Sequence, residues 1–428
     1  MKTKTQRFIL CRRSARFIVT LGLSAGAMAS APAEEALHST HGHSHPGSDV
    51  QTIREVEQPD LTGAWEGARE SPAHRGITPY ATYIGEIFTN HRGGIDNGSA
   101  WAGLLDFGME LDLEKLAGWQ GATFFANAFF FHGNDVSGDF VGDFNAVSNL
   151  YTDTSFNFYN IFLQQTFGDA DSFVKIGQIA LDDDFMVSET SLLFLNAGFG
   201  PLPVQSGNTA APIYALAAPG VMVHVEPDTS WFLRAGIYAG DAGPAVSGNQ
   251  GFNWKTGGSA GWMFIGESGF KYGDEGASVV KLGGYYHSGD YERFSDATIE
   301  NSIGSLYAVI DHQLIASDAG TGLHIFARGG VTPDDEIAAV KSYADTGLVA
   351  MNVFRGDDSL GLAVSWTHFA EGFVQKEGGR SSEIVSELTY QVPLSDRFVL
   401  QPNLQYIVNP QGGGNHAILT GLRAEITF

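Results

Sequence analysis

Hydrophobic and polar residues alternate through most of the chain, in runs of roughly ten residues separated by polar turns. The last run, residues 415–428, is the clearest, with Ile426 and Phe428 on one face and Arg423 and Glu425 on the other. Successive side chains of a strand point to opposite faces, so the pattern predicts strands with one apolar and one polar side. The predicted strands cover residues 78–90, 101–112, 121–133, 155–168, 172–181, 218–226, 230–240, 260–272, 278–289, 304–315, 321–330, 345–356, 359–370, 382–393, 397–408 and 415–428.

The connections between these runs alternate between short and long. The short ones are polar turns at 169–171, 227–229, 273–276, 317–320, 357–358 and 394–396. The long ones cover 134–154, 182–217, 241–259, 290–303, 331–344 and 371–381. A membrane barrel has this asymmetry, with tight periplasmic turns and long outer loops, whereas a soluble sandwich or propeller does not require it. The sequence therefore predicts an all-β fold, a transmembrane antiparallel β-barrel of sixteen strands.

The composition is typical of a fold with many aromatic-rich strands separated by glycine-containing turns. The chain has 54 glycines, 30 phenylalanines, 14 tyrosines and 7 tryptophans. After the amino terminus there is no apolar run of about 18 residues, which a membrane-spanning helix would need. The formal net charge of −24 makes nucleic acid an unsuitable partner.

Four regions follow from the order of these features. Residues 1–29 have a basic start and a short apolar core, which predicts a secretory signal peptide with cleavage as late as residue 33. Residues 30–59 read as a flexible periplasmic lead-in, residues 60–77 as a short helical segment, and residues 78–428 as the barrel. The single cysteine, Cys11, lies in the signal peptide, so no disulfide is predicted.

The lead-in contains four closely spaced histidines, His38, His41, His43 and His45. Such a tract is a weak candidate for binding zinc or copper, and a solvated polar linker is the alternative. No other metal site and no cofactor are predicted. The chain lacks GxSxG, HExxH, P-loop and dinucleotide fingerprints, so no enzymatic function is predicted.

Several segments, in order, resemble the carbohydrate-selective porins of the OprB type. They are LTGAWEGAR (61–69, with Trp65 and Arg69), GMELDLEKLAGWQGATFFANAFFFHG (108–133), KIGQ (175–178), GIYAGD (236–241), ESGFKYG (267–273), FRGDDSLGLAVSW (354–366) and ELTYQVPLSDRFVLQPNLQYIVNPQGG (387–413). Glu66 departs from the pattern, which has glycine there, and the histidine-rich lead-in is not part of it.

The resemblance implies a sixteen-stranded pore in the outer membrane of a Gram-negative-type bacterium, passing glucose and related sugars by passive diffusion. A general or ion-passing porin is the alternative, and a barrel-borne enzyme is a more distant one. The expected partners are small hydrophilic solutes, outer-membrane lipid and the barrel-assembly machinery, which would recognise the carboxyl-terminal strand. Monomer and trimer both stay open.

The longest connection, residues 182–217, lies where porins of this size carry a third outer loop that folds inward to narrow the channel. It begins with Asp182, Asp183, Asp184 and Phe185. We expect this loop to line the constriction, and an ordinary surface loop is the alternative.

Strand phase places charged residues on the inner face, because a charge on the lipid face is costly. The cations are Lys175, Arg234, Lys281, Arg328 and Arg423, and the carboxylates are Glu86, Asp106, Glu110, Glu267, Asp311, Glu383, Glu387 and Glu425. Each of them either lies in the solute path or belongs to the structure of the wall. Together they predict a polar channel of mixed sign, suited to neutral hydroxylated solutes. Aromatic candidates for contact with a sugar ring are Trp65, Phe185, Phe194, Tyr285 and Trp366, with packing or the membrane girdle as the alternative.

Overall fold

The computed structural model describes residues 75–150, 154–168, 172–244, 249–316 and 322–428. Within these ranges sixteen strands form one closed antiparallel barrel, in which each strand pairs with the next barrel strand along the chain. The predicted fold is confirmed. The barrel strands are β1 (Ile77–Arg92), β2 (Gly98–Asp112), β3 (Ala122–Gly133), β4 (Ser155–Phe167), β5 (Ser172–Ile179), β6 (Ala218–Asp228), β7 (Trp231–Ala239), β8 (Trp262–Tyr272), β9 (Ser278–His287), β12 (Ile303–Ile315), β13 (Gly322–Val331), β14 (Val340–Met351), β15 (Ser359–Phe369), β16 (Ser382–Ser395), β17 (Phe398–Val408) and β18 (Ala417–Thr427).

The other elements are short and lie in the connections. A hairpin of two-residue strands, β10 (Tyr291–Glu292) and β11 (Ile299–Glu300), stands between β9 and β12. The helices are α1 (Leu113–Ala117), α2 (Pro203–Ser206), α3 (Glu371–Glu377), a π-helix at Ser137–Val141, and 3₁₀ turns at Leu181–Asp183, Ser191–Leu193, Ala197–Phe199, Gly258–Ala260, Asp274–Gly276 and Pro410–Gly412. None of the helices among the described residues is long and apolar enough to cross a membrane.

The barrel closes where the last strand pairs with the first. Arg423 of β18 lies opposite Glu86 of β1, and Leu422 lies opposite Ile87. Leu422 is 44% exposed and Arg423 only 3%, so the apolar face of β18 points outward and its charged face points into the barrel. The phase predicted for the carboxyl-terminal strand is confirmed. Closure leaves the barrel without an unpaired strand edge, and a sheet in a membrane must have none.

The outer face of the barrel carries apolar side chains. In β15, Leu362, Val364 and Trp366 share this face and are 58%, 41% and 40% exposed. Between them, Ala363 and Ser365 point inward and are buried. Of the two interpretations left open for Trp366, the structure supports the membrane girdle over contact with a solute, because the side chain lies on the membrane side of the wall.

Strand bounds agree with the sequence within a few residues, except in one place. The predicted strand 345–356 is β14, Val340–Met351, so it begins and ends five residues earlier. The connection after it is accordingly longer, and Asp358 there accepts the backbone N–H of Phe354 at 3.0 Å. Small residues on both faces of β14 weaken the alternation that would have fixed its position.

Pro402, in the middle of β17, lies on the outer face and is exposed. The β16–β17 ladder runs from Ile384–Val408 to Thr389–Asn403 and resumes at Val392–Leu400. Pro402 therefore lies in an interruption of the β16–β17 pairing that leaves the register unchanged, and on its other side it keeps Leu422 of β18 as its partner.

The predicted signal peptide, the lead-in and most of the segment 60–77 lie outside the described residues, as do His38, His41, His43, His45, Trp65 and Arg69. These assignments stay predictions.

Candidate functional site

The third outer connection, loop L3 (residues 180–217), folds into the barrel between β5 and β6. Its apolar residues are almost completely buried, including Phe185, Phe194 and Phe199. Phe194 and Phe199 pack against Phe326 of the wall, with ring centroids 5.7 and 6.3 Å apart. L3 is thus the predicted inward-folded loop, and it is packed against the wall over much of its length.

Three cations of the wall hold the first part of L3. The Lys175 Nζ lies 2.9 Å from both carboxylate oxygens of Asp184. The Arg234 guanidinium donates to the backbone carbonyl of Asp184, and the Lys281 Nζ donates to the carbonyl of Val187 at 2.9 Å. All three cations are buried. Charge-assisted hydrogen bonds of this kind are stronger than neutral ones, so they fix the loop backbone.

Arg328 of β13 holds the middle of L3 in the same way. Its guanidinium binds the Asp345 carboxylate of β14, with Nε 3.1 and 3.2 Å from the two oxygens, and donates to the carbonyl of Gly200 at 2.6 Å. The Tyr343 hydroxyl donates to the carbonyl of Gly198 at 2.5 Å. Bidentate pairing orients Arg328 rigidly, which suits a structural anchor.

Wall carboxylates accept from backbone N–H groups of L3. Glu387 of β16 accepts from Leu195 at 2.7 Å and from Asn196 at 2.8 Å. Glu267 of β8 accepts from Met186 at 3.0 Å. These buried carboxylates therefore satisfy N–H groups that the irregular loop cannot pair internally.

Asp311 of β12 completes this set of anchors. It accepts from the Ser188 hydroxyl at 2.6 Å and from the Thr190 N–H at 3.2 Å. Lys175, Arg234, Glu267, Lys281, Arg328 and Glu387 were predicted on the inner face, and the structure places all of them there, covered by L3. Of the two interpretations left open for them, their contacts favour wall structure.

The second outer connection, loop L2 (residues 134–154, with 151–153 outside the described residues), also folds inward. Glu383 of β16 accepts from the backbone N–H groups of Phe144 at 2.7 Å and Asn145 at 3.1 Å. Arg423 donates to the Asn149 side chain at 2.6 Å. The Gln405 amide donates to the carbonyl of Val147 at 2.8 Å.

L2 and L3 are hydrogen-bonded to each other inside the barrel. The backbone N–H of Asn149 donates to the carbonyl of Leu195 at 2.8 Å, and the backbone N–H of Ala197 donates to the carbonyl of Ala146 at 3.1 Å. The constriction is thus built by two loops, whereas the sequence predicted one. The mixture of small, apolar and amide residues in VGDFNAVSNL (141–150) was the available signal, because an exposed loop has no need of so many apolar side chains.

A chain of polar contacts runs along the wall from β1 to the start of L3. The Tyr80 hydroxyl and the Asn127 amide each donate to Asp106 Oδ1 at 3.1 Å. The Asn160 N–H donates to Asn127 Oδ1 at 2.9 Å, and the Asn160 amide donates to Asp183 Oδ2 at 2.7 Å. We call these five residues, Tyr80, Asp106, Asn127, Asn160 and Asp183, the polar track.

Water still reaches part of this region. Tyr80, Asp106, Asp182 and Asp183 are half-buried, in contrast to the fully buried anchors of L3. Glu425 of β18 is also half-buried on the inner face. The polar track and the residues beside it therefore present carboxylates to water inside the barrel.

The two acids at the start of L3 lie in an environment that favours their neutral forms. Burial, followed by the neighbouring Asp184 carboxylate, raises the pKa of Asp183 to about 6, and Lys175 opposes this shift. Burial and the Asp183 carboxylate raise the pKa of Asp182 well above its usual range. Burial and nearby like charges raise the pKa of carboxylates generally. The backbone N–H of Tyr214, which donates to Asp182 at 3.1 Å, opposes the rise in the Asp182 pKa.

Three of the aromatic residues proposed to contact a sugar ring are buried and cannot reach a solute. Phe185 and Phe194 are 0% and 1% exposed within L3, and Tyr285 is 5% exposed and donates its hydroxyl to the carbonyl of Val204. Tyr80, which sequence analysis did not select, is the half-buried aromatic of the track, with its ring stacked on Phe125 at 6.1 Å. Among the described residues, no three His, Cys, Asp or Glu side chains are grouped to hold a metal ion.

A closed sixteen-stranded barrel narrowed by inward-folded outer loops is the architecture of a porin. The model of the carbohydrate-selective porin OprB family matches residues 96–428. The chain belongs to this family. It is accordingly an outer-membrane protein, and the predicted family and location are confirmed.

Individual relatives are similar to this chain over most of its length. Porin B of Pseudomonas aeruginosa is 26% identical over 421 residues, covering 86% of this chain and 91% of that protein. The putative porin QuiX of Acinetobacter baylyi is 24% identical over 418 residues, covering 86% and 93%. The high-pH structure of Pseudomonas putida OprB superimposes with a TM-score of 0.77 at 22% identity, covering 86% of this chain and 98% of that one.

Proposed function

We propose that the protein lets small neutral hydroxylated solutes, sugars foremost, diffuse passively through the space that L2 and L3 leave open. The observation that carries this proposal is the polar track beside the constriction, which offers carboxylate, amide and hydroxyl groups on a half-buried surface. A sugar that enters loses part of its hydration shell, and such groups replace those hydrogen bonds.

Tyr80 is the aromatic group best placed to contact a sugar ring. It stacks on Phe125 with 14° between the ring planes, and its hydroxyl is held by Asp106. The ring is therefore fixed at the edge of the track, and a fixed apolar face beside hydrogen-bonding groups suits the mixed surface of a sugar.

The constriction has the character of a static filter. Buried ionic groups of the wall hold both loops through their backbones, and the loops hold each other. Moving either loop would leave buried charges without partners, which is costly. This supports diffusion through a preformed opening.

Single-channel recording in a planar bilayer tests the proposal. Glucose added to the bath should reduce the ion current through the wild-type channel in a saturable way. Tyr80→Ala should weaken this block roughly two- to tenfold, the loss expected for one aromatic contact. The matched control is Tyr83→Ala, because Tyr83 lies on the opposite face of β1.

The outcomes separate the alternatives. A channel whose current is unaffected by glucose and oligosaccharides is a general or ion-passing porin, and the sugar preference is then wrong. Purified, folded protein that forms no channel overturns the pore itself. Contact with the assembly machinery and the choice between monomer and trimer stay predictions from the sequence.

A further inference from the structure

We propose that the channel discriminates by charge, favouring cationic and neutral solutes and excluding anionic ones such as uronates and sugar phosphates. This inference rests on the proposed function, because it concerns solutes passing the same constriction. It replaces the expectation of a lumen of mixed sign with a lumen whose accessible charge is negative.

The first observation is that most basic groups of the wall do not face the water. On the inner face, the described strands carry six buried lysine and arginine side chains, each at most 6% exposed, whereas Lys341 at the outer end of β14 is more exposed and pairs with Asp335. The six buried cations are Lys175, Arg234, Lys271, Lys281, Arg328 and Arg423. Their positive charge is thus kept away from a solute in the channel.

The second observation is that carboxylates neutralise five of these six cations. Lys175 pairs with Asp184, Arg234 with Glu267, Lys271 with Glu226, Arg328 with Asp345, and Arg423 with Glu86. Lys281 has no carboxylate partner of this kind and instead donates to the backbone carbonyl of Val187 at 2.9 Å. Each pair has a small external field, because its two charges are close together and of opposite sign.

The third observation is that other inner-face carboxylates keep contact with water and have neutral donors. Asp106 is held by Tyr80 and Asn127, and Asp183 by Tyr159 and Asn160. Within the described part of the chain, Asp106, Glu110, Asp182, Asp183 and Glu425 form no ion pair within 4.0 Å.

These three observations fix the sign of the accessible surface. An ionised carboxylate of this set attracts a nearby cation and repels a nearby anion more strongly than it would in bulk water, because the surrounding protein lowers the effective dielectric constant. Low-dielectric walls focus such a field along a narrow passage. Rings of acidic side chains are a known means of selecting cations in channels. Neutral sugars experience no net attraction or repulsion, so passage of glucose is compatible with exclusion of glucuronate.

The test measures the zero-current potential near pH 8, where Asp183 is ionised, across a bilayer that separates concentrated from dilute potassium chloride. The wild-type channel should be more permeable to K⁺ than to Cl⁻. The double variant Asp106→Asn, Asp183→Asn should lower this permeability ratio roughly two- to tenfold, since two of the accessible charges are lost. Asp139→Asn is the control for loss of a carboxylate elsewhere, because Asp139 is exposed on the short π-helix of L2 and does not belong to the polar track.

Uptake into liposomes supplies an independent readout with uncharged and charged sugars of similar size. Wild-type protein should admit glucose and glucosamine readily and glucuronate poorly, and the double variant should admit glucuronate faster. Heat-modifiable migration on electrophoresis verifies that each variant is folded.

The results distinguish the two proposals. Channels that conduct with equal or greater permeability to Cl⁻ overturn the charge preference and leave the pore intact. A cation preference that persists unchanged in the double variant also overturns it, because these carboxylates are then not its source. Folded protein that conducts nothing overturns the proposed function itself.

Discussion

The Glu387 carboxylate of β16 accepts the backbone N–H of Leu195 at 2.7 Å, although 192 residues separate the two in the chain. Its second oxygen accepts the N–H of Asn196 at 2.8 Å. A single wall side chain thus holds two successive peptide groups of the loop that narrows the barrel. Because the carboxylate is charged and buried, these are strong hydrogen bonds.

Replacement of this anchor should loosen the constriction. Glu387→Gln removes the charge and presents an amide N–H₂ to one of the two loop N–H groups, which costs about 1–3 kcal/mol of loop anchoring. We expect larger and noisier single-channel conductance and weaker block by glucose. The control is Gln391→Ala, four residues nearer the periplasmic end on the same face of β16. Equal conductance of wild type and Glu387→Gln would contradict the anchoring role.

The seam between β1 and β18 should depend on its buried ion pair. The Arg423 Nη2 lies 2.8 Å from Glu86 Oε2, and both side chains are 3% exposed. Arg423→Gln leaves the Glu86 carboxylate buried without a counter-charge, which is expected to cost about 3–5 kcal/mol of stability. The temperature at which the folded electrophoretic band disappears should fall. Arg92→Gln, at an exposed position of β1, should leave it almost unchanged, and equal losses in both variants would contradict the prediction.

Charge preference should depend on pH through Asp183. Burial and the adjacent Asp184 raise its pKa to about 6, against the opposing influence of Lys175, and the pKa of neighbouring Asp182 is raised as well. A raised pKa means that the carboxylate is charged above that pH and neutral below it. The K⁺ over Cl⁻ preference should therefore be full near pH 8 and decline as pH falls from about 7 to 5.

Zero-current potentials recorded across this range verify the pH prediction. Asp183→Asn should show a lower preference at high pH and a smaller change on acidification, with Asp182 supplying the remaining response. A wild-type permeability ratio that stays constant between about pH 8 and pH 5 would contradict the pH prediction.

Removal of Phe428 should reduce assembly more than stability. Phe428 is 48% exposed on the outer face, and its backbone N–H donates to the backbone carbonyl of Ala81 at 2.9 Å. Deletion therefore costs the folded barrel about 1 kcal/mol for one hydrogen bond, whereas it removes the terminal aromatic residue expected to serve as the assembly signal. The amount of heat-modifiable protein in the outer membrane should fall several-fold relative to Phe167→Ala, which loses an equally exposed outer aromatic. Similar yields of both variants would count against the prediction.

Alternation along the chain was sufficient to predict the wall of the barrel. The phase of β18 could be read from Arg423 and Leu422 because a charged residue and an apolar one leave one arrangement in a membrane. The same reasoning failed for β14, where small residues such as Ala344 and Gly347 fit either face. Where side chains carry little preference, the sequence contains little information on register.

The arrangement inside the barrel could not be predicted from alternation. That pattern assigns Glu383 and Lys175 to the inner face, and it does not reveal that loops cover them. The covering depends on contacts such as Asn145 with Glu383, which are separated by 238 residues and have no local signal. For the same reason, the sign of the accessible surface follows from the pairing in the structure and not from a count of charged residues.

The two-fold attachment of Arg423 has a consequence for the order of biogenesis. This residue of the last strand contacts Glu86 in the first strand and Asn149 in L2, all of them buried. A guanidinium transferred into the sealed wall without either partner would be strongly disfavoured. Closure of the sheet alone leaves Arg423 paired with Glu86 and open to the water of the lumen, so no charge is buried without a partner. L2 can then follow, adding Asn149 as a second partner and shielding the pair from water.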